Sequence, residues 1–400
     1  MLECSARWLE SHSKRRYSST SCHLVFELCH GSGDCMARRL DFLVPHWQET
    51  PELMTPLLDS IKIQCAVDLS QVGVIIAFDG PDATELPLDE WRETYPFAID
   101  DIHPPKGGVS ATRNAALDAS NAEYVIFADA DDSLMDIRGL FIVFREMDAM
   151  PNPSEMVSMG VPKEKWEKGF DFLIADFIEE TRDESGNVEF VPHVQNMTFV
   201  HSQTFRRQWL LDNDIRFRPD VQCHEDSFVI CLARETVLPW RGKICQHPWY
   251  LWRFNPDSTC RCDPEFYIRR TFNSMISSND ALVDEFVRRM MPEKANAYAV
   301  MMFWESYFTL MKREWVEQSS QEYRIATEKR FARYARKHMD KWNAVPETEK
   351  LMISQGVRQR SIQEGMLMES TTITKWLEDL LGRYSEEDCK DVPDIYPVAT

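Results

Sequence analysis

The sequence predicts an α/β fold, a mainly parallel sheet covered on both faces, followed by a region built of helices. Three observations carry this expectation. Between residues 41 and 150, short apolar runs alternate with segments whose apolar residues recur at helical spacing. The apolar runs end in polar, mostly acidic clusters, and beyond residue 263 only the helical period remains. A strand–helix–strand succession of this kind sets neighbouring strands parallel and puts the helices on the faces.

Residues 41–44 form a short buried strand, and residues 52–64 a helix with Leu53, Leu57, Leu58 and Ile61 on one face. Residues 72–78 give a second strand, 108–119 another helix and 123–128 another strand. Further on, residues 266–276, 281–291, 295–314 and 323–342 carry aromatic, Met and Leu residues at mixed three- and four-residue spacings. The chain thus divides into an α/β domain over 36–262, a helical region over 263–384 and a flexible acidic tail over 385–400. The helical region is expected to pack on the α/β domain or to join two copies into a homo-oligomer. Residues 1–35, rich in Ser, Cys, His and Arg without periodicity, read as a disordered extension upstream of a start at Met36.

Composition narrows the function. An apolar fraction of 44% with 12 Trp and 22 Phe supplies a real core across 400 residues. A formal charge of −20, with no Lys/Arg stripe, disfavours a broad nucleic-acid surface. No run reaches the ~18 apolar residues of a membrane span, and residues 295–303 read as a buried helix. The 11 Cys lack the spacings of a zinc ribbon or a secreted disulfide framework. Cys29-His30 with Cys35, and Cys260 with Cys262, do not give four ligands, so reduced thiols in a cytoplasmic protein are expected.

In such sheets ligands bind beyond the carboxyl ends of the strands. Here three ends are polar: Pro45-His46-Trp47-Gln48-Glu49, Asp79-Gly80-Pro81-Asp82, and Asp129, Asp131 and Asp132 of the sequence FADADD. Carboxylate oxygens suit Mg²⁺ or Mn²⁺, which in turn neutralises a diphosphate leaving group. Asp132 is instead expected to cap a helix starting near Ile137. An EF-hand is excluded, because its sixth and twelfth positions would be Leu134 and Leu140. A haloacid-dehalogenase phosphotransferase, with Asp129 as nucleophile and Asp131 as general acid, is a competitor on local sequence. Two strand–helix units precede the Asp cluster, however, where that motif usually opens its core. A second acidic landmark, His224-Glu225-Asp226, precedes a helical pattern; its carboxylates offer a general base, or a favourable charge at a helix start.

Residues 41–260 resemble the family 2 glycosyltransferases of the GT-A fold, whose sheet is Rossmann-like and mixed. The resemblance rests on Phe42-Leu43-Val44-Pro45, on Phe78 to Asp82, and on Gly108-Val109-Ser110-Ala111-Thr112-Arg113-Asn114-Ala115-Ala116-Leu117. Phe127 to Asp132 and Glu225-Asp226 complete the set in the family's order. It implies that Asp79 holds the nucleotide base or ribose, with Pro45 and Glu49 on the same donor side. Arg113 supports that pocket or the diphosphate, Asp129 reaches ribose or metal, and Asp131 binds the metal. Asp226 is then the catalytic base of an inverting transfer from a nucleoside-diphosphate sugar, UDP-linked by family frequency, to an acceptor hydroxyl of a glycan, polymer or other acceptor.

Residues 199–207 and 213–217 resemble the acceptor-recognising region, with His201, His224 and Glu225 as candidate acceptor-side residues. Tyr250-Leu251-Trp252-Arg253 with Ser258-Thr259 resembles a loop that closes on the diphosphate, Arg253 being a phosphate contact. Two departures stand out. His46-Trp47-Gln48-Glu49 replaces the usual Tyr-Asn, and Leu251 stands where many relatives carry a His, for which His247 is a substitute. A binding or assembly protein that keeps the fold without catalysis is the remaining alternative.

Overall fold

The computed structural model describes residues 38–183, 185–194, 198–221, 223–258, 264–311, 320–363, 372–390 and 392. The extension over 1–35, Cys260 and Cys262, Thr259 and nearly all of the tail beyond 390 lie outside the described residues.

The first half is built as its periodicity indicates. Strand β1 (Leu40–His46) leads to helix α1 (Pro51–Lys62), β2 (Val72–Phe78), α2 (Leu88–Thr94), β3 (Ala98–Ile102), α3 (Gly108–Ala119) and β4 (Tyr124–Phe127). β1 lies between β2 and β4, parallel to both, and β3 extends the parallel run. Leu40 to Val44 are buried on both faces, which is why they form one continuous run with little alternation. Phe42, Val44, Val74 and Ile76 face one core with Leu57, Leu58 and Ile61 of α1. Leu43, Ile75, Val125 and Phe127 face the other, with Ala116 and Leu117 of α3.

The second half changes direction. β5 (Ser133–Leu134), α4 (Gly139–Asp148), α5 (Pro153–Ser158), β6 (Phe172–Arg182), β7 (Val188–His193), β8 (Thr204–Arg206), α6 (Arg207–Asp212), α7 (Glu225–Thr236) and β9 (Gly242–Trp252) complete the α/β part. Among the described residues the sheet has nine strands in the order β3-β2-β1-β4-β8-β6-β9-β5, with β7 paired to β6. β8 runs antiparallel to both β4 and β6, so the sheet is mixed, as the GT-A resemblance implies; its first four strands are parallel, and β6 and β9 pair parallel again beyond β8. Neither α2 nor β3 is announced by an apolar period. β3 is a sheet edge whose Asp100 and Asp101 sit at positions where an inner strand would be apolar, and Arg38 and Arg92 pair with them.

Helices α8 (Pro264–Arg288), α9 (Pro292–Leu310), α10 (Gln321–Ala344), α11 (Glu347–Gln363) and α12 (Ile373–Arg383) complete the chain. The segments expected at 266–276 and 281–291 are one helix, α8. The polar run between them does not break it, because its side chains find partners inside the helical region: Asn279 Nδ2 donates to the Tyr298 carbonyl (3.3 Å) and Tyr334 Oη donates to Asn279 Oδ1 (2.6 Å). Ser278 Oγ donates to the carbonyl of His224 (2.9 Å), tying α8 to the start of α7. Leu282, Val283 and Phe286 of α8 and Ala295 and Tyr298 of α9 share one core with α7 and the sheet. No described helix is long and apolar enough to cross a membrane.

Candidate active site

The carboxyl ends of β1, β2 and β4 meet the starts of α3 and α7. Asp79, at the end of β2, accepts hydrogen bonds on Oδ1 from the N–H groups of Gly107 (2.8 Å) and Gly108 (3.0 Å). A carboxylate there satisfies donors that the first turn of α3 leaves unpaired. The approach is close: Gly80 has φ +85°, and a Cβ added to it would lie 2.6 Å from Lys106 Cβ. Gly80→Ala is expected to destabilise the fold by about 1–3 kcal/mol and to weaken nucleotide binding, as read by denaturant melts and titration. An unchanged midpoint would show that this turn adjusts freely.

Arg113, carried by α3, is buried and holds three carboxylates. Its Nη2 donates to Asp129 Oδ1 (2.8 Å), and its Nη1 to Glu225 Oε1 (2.9 Å) and Asp226 Oδ1 (2.8 Å). The two acidic landmarks, about a hundred residues apart in sequence, therefore share one cation. Burial works against the guanidinium charge, but the three carboxylates outweigh it and raise its pKa further. One positive charge does not balance three negative ones. Burial, with the charges of Glu225 and Asp129 added, pushes Asp226 up to about 7 despite Arg113. Asp129 moves the other way: burial opposes its charge, yet Arg113, aided by His201, holds it below the usual range. The second oxygen of Asp226 accepts the Val200 N–H (3.0 Å), so both oxygens of this carboxylate are oriented.

Asp131 and Asp132 differ in their surroundings. Asp131 Oδ2 accepts from Asn255 Nδ2 (2.8 Å), and burial with the charges of Asp129 and Glu49 raises its pKa. Asp132 is fully buried and accepts from Tyr250 Oη (2.7 Å) and from the N–H of Arg253 (3.0 Å). Burial and the adjacent Asp129 and Asp131 push it well above the usual carboxylate range. The expected helix cap is corrected: α4 starts at Gly139 behind Arg138, and Asp132 instead leads into β5, which pairs with β9.

The remaining candidates fall on both sides of this group. Pro45 lies in β1 opposite Ala77. Glu49 accepts the Trp47 N–H (2.8 Å) and sits 3.1 Å from His46 Nδ1; burial opposes its charge, but these partners hold its pKa low. The Arg253 guanidinium donates to the carbonyls of Leu53 (3.3 Å) and Asp131 (3.2 Å), at the rim of the acid turn. His201 is 3% exposed and stacked between Tyr250 (5.1 Å) and Phe199 (5.2 Å). Burial drives its pKa down to about 4, although Asp129 pulls it upward. A ring nitrogen of His201 and carboxylate oxygens of Asp129 and Asp132 lie within 4.8 Å of one another. The structure thus brings His201 to the acid turn.

His224 precedes α7 in a left-handed conformation (φ +62°) and is hydrogen-bonded to the Thr271 backbone of α8, burial taking its pKa down to about 4. His247 lies against Asp136 (2.5 Å) and is not in the acid group. A second acidic group, Asp280 and Asp284 with His338, is bridged by Lys337 Nζ at 2.8 and 2.7 Å, which supplies the positive charge there. Tyr250 and Val200 lie in segments the resemblance singles out, but the individual contacts of Tyr250, Asn255 and the Val200 N–H with the acid group are not legible in sequence. The three groups are one alternating strand position, one loop polar residue and a backbone donor.

Residues 41–208 match the model of the family described as Glycosyl transferase family 2. The protein named "Uncharacterized glycosyltransferase EpsJ" of Bacillus subtilis (strain 168) is 24% identical over 225 residues, 55% of this chain and 62% of that protein. The chain therefore spans less than two thirds of that relative. Among solved structures, S. aureus TarS 1–349 in complex with UDP has a TM-score of 0.50 at 14% identity, over 84% of this chain and 95% of that one. The complex of TarS 1–349 with UDP-GlcNAc gives 0.52 at 15% identity, over 83% and 93%. These likenesses concern the fold. One oxygen of Asp129, the nucleophile in the phosphotransferase reading, is engaged by Arg113. With five motifs in the family's order on a mixed sheet, the α/β part of the chain is similar to glycosyl transferase family 2 domains, the match covering residues 41–208.

Proposed function

We propose that the chain transfers a sugar from a nucleoside-diphosphate sugar to an acceptor hydroxyl with inversion, Asp226 being the general base. The observation that carries this reading is Arg113, which gathers Asp129 from the donor-side turn and Asp226 from the start of α7 around one guanidinium. Asp226 is poised to take a proton near neutral pH, where a base is most effective. Arg113 and the Val200 N–H fix the two oxygens of Asp226, so the proton acceptor is oriented before substrate arrives. The acceptor oxygen, once deprotonated, attacks the anomeric carbon opposite the departing diphosphate.

The acid turn fits a divalent cation, because its donors are carboxylate oxygens and because the buried Nε2 of His201 has no hydrogen-bond partner among the described residues. Asp129, with Asp131 or Asp132, would hold Mn²⁺ or Mg²⁺, which supplies charge neutralisation for the diphosphate. Asp79, Pro45 and Glu49 then line the nucleoside side, and Arg253 the phosphate side. UDP is the first nucleotide to test, since the TarS structures hold UDP and UDP-GlcNAc. Cys65, Cys245 and Cys389 form no disulfide among the described residues, and reduced thiols suit a cytoplasmic setting.

The expected result is a rise in melting temperature with UDP or another nucleoside diphosphate that requires Mn²⁺ or Mg²⁺. The shift should grow with the logarithm of ligand concentration above Kd. A diphosphate shift of the same size in EDTA would overturn the metal-assisted reading. No shift with any diphosphate would count against the donor class itself.

A further inference from the structure

His201 is built into the acid turn in a way that contact with an acceptor does not explain. Its ring is clamped between the parallel rings of Tyr250 (interplanar 5°) and Phe199 (14°), with the Phe177 ring edge-on at 4.5 Å. The imidazole faces are covered, so the ring presents only its edge, and Nε2 on that edge is buried without a hydrogen-bond partner among the described residues. A buried nitrogen left in this state marks an absent partner, since polar groups in native interiors are nearly always satisfied. Nearby stand carboxylate oxygens of Asp129 and Asp132, each within 4.8 Å of a His201 ring nitrogen.

The surrounding chain holds this arrangement from two sides. Tyr250 stacks on His201 while its hydroxyl donates to Asp132 (2.7 Å) and accepts the Asp129 N–H (3.2 Å). One side chain thus fixes the ring and both acids, the usual task of groups that orient metal ligands from behind. Ser202, next in the chain, is fully buried at φ +67° and donates to the Ala175 carbonyl (3.0 Å), which fixes the turn that presents His201.

Resting on the reading of this site as a metal-assisted donor site, we propose that its cation is held by a mixed set: Asp129, Asp132 and the imidazole of His201. Arg113 occupies one oxygen of Asp129 and leaves the carboxylate its second; Asp131, held by Asn255, remains beside the set. The nitrogen donor decides which ion is preferred. Mg²⁺ favours all-oxygen surroundings, whereas imidazole suits the later divalent ions, so Mn²⁺ and Co²⁺ bind ahead of Mg²⁺.

The experiment is pulsed electron paramagnetic resonance of Mn²⁺ added to the full chain, alone and with UDP, read for nitrogen modulation from a coordinated imidazole. Thermal-shift titrations with Mn²⁺ and Mg²⁺ run in parallel, on the native chain and on His201→Asn. The expected result is imidazole modulation in the native chain that disappears in His201→Asn, together with a Mn²⁺ preference of at least tenfold that collapses in the variant. Bound Mn²⁺ without nitrogen modulation, or modulation that survives the substitution, overturns the proposal and leaves the donor site standing. Absence of any Mn²⁺ binding, with or without UDP, overturns both. The native chain alone decides the first point, so a variant that fails to fold does not protect the idea.

Discussion

Asp226→Asn is expected to lower turnover by roughly 10²–10⁴-fold while leaving nucleotide binding within a fewfold of the native chain. The amide keeps an oxygen for the Arg113 hydrogen bond but cannot take the acceptor's proton. The native chain should show kcat/KM rising with pH through about 7, where Asp226 loses its proton, and the variant should lose that limb. Stability should move the opposite way. The folded pKa of Asp226 lies above its unfolded value, so its contribution is full below about 4 and is lost as pH rises through about 7. Asp226→Asn should therefore melt higher than the native chain at pH 8, the pattern expected where activity requires an unfavourable charge. Unchanged turnover would support a fold kept for binding or assembly instead of catalysis.

Arg113→Met is the second large effect, and it strikes the fold as well as the chemistry. Removing one partner of a buried ion group costs about 3–5 kcal/mol, because the remaining charges stay buried. Here three carboxylates lose their shared cation, although the Asp129 side chain is 35% exposed and partly screened by solvent. Without Arg113 the depression of the Asp129 pKa is lost and the Asp226 pKa climbs further above its unfolded value. Stability is then retained below the unfolded values and lost as pH rises. Urea titrations should show a deficit at pH 8 that shrinks markedly at pH 5, whereas a loss independent of pH would mean that Arg113 acts through packing alone. Arg113→Lys restores a charge but not the fork that spans Asp129 and Asp226, and should recover stability more than turnover.

Much of this site is legible in the chain because strands announce themselves by apolar runs, and ligand sites by the polar residues at the strand ends. Asp79, Asp129 and Asp226 stand at the ends of β2 and β4 and at the start of α7, where the motifs put them. The pairing of Arg113 is not legible, because it depends on α3 lying beside α7, a packing relation with no periodic trace. His201 reads in sequence as an acceptor-side residue for a similar reason. Its location depends on β8 entering the sheet antiparallel between β4 and β6, and a single strand's pattern does not state its neighbours. Asp132 looks like a helix cap because two residues of β5 are too short to show alternation, while the apolar run of α4 just beyond suggests a helix to be capped.

The hydrogen bond from Ser278 to the carbonyl of His224 bears on modularity. The family match stops at residue 208, but the Glu225-Asp226 helix start beyond it leans on α8, and its core includes Leu282, Val283, Phe286, Ala295 and Tyr298. A fragment ended at residue 262 would expose that core face and free the turn that leads into Glu225 and Asp226. For this chain, the smallest transferable unit is therefore larger than the segment its family motifs mark out, and any domain exchange must carry α8 and α9 along with the motifs.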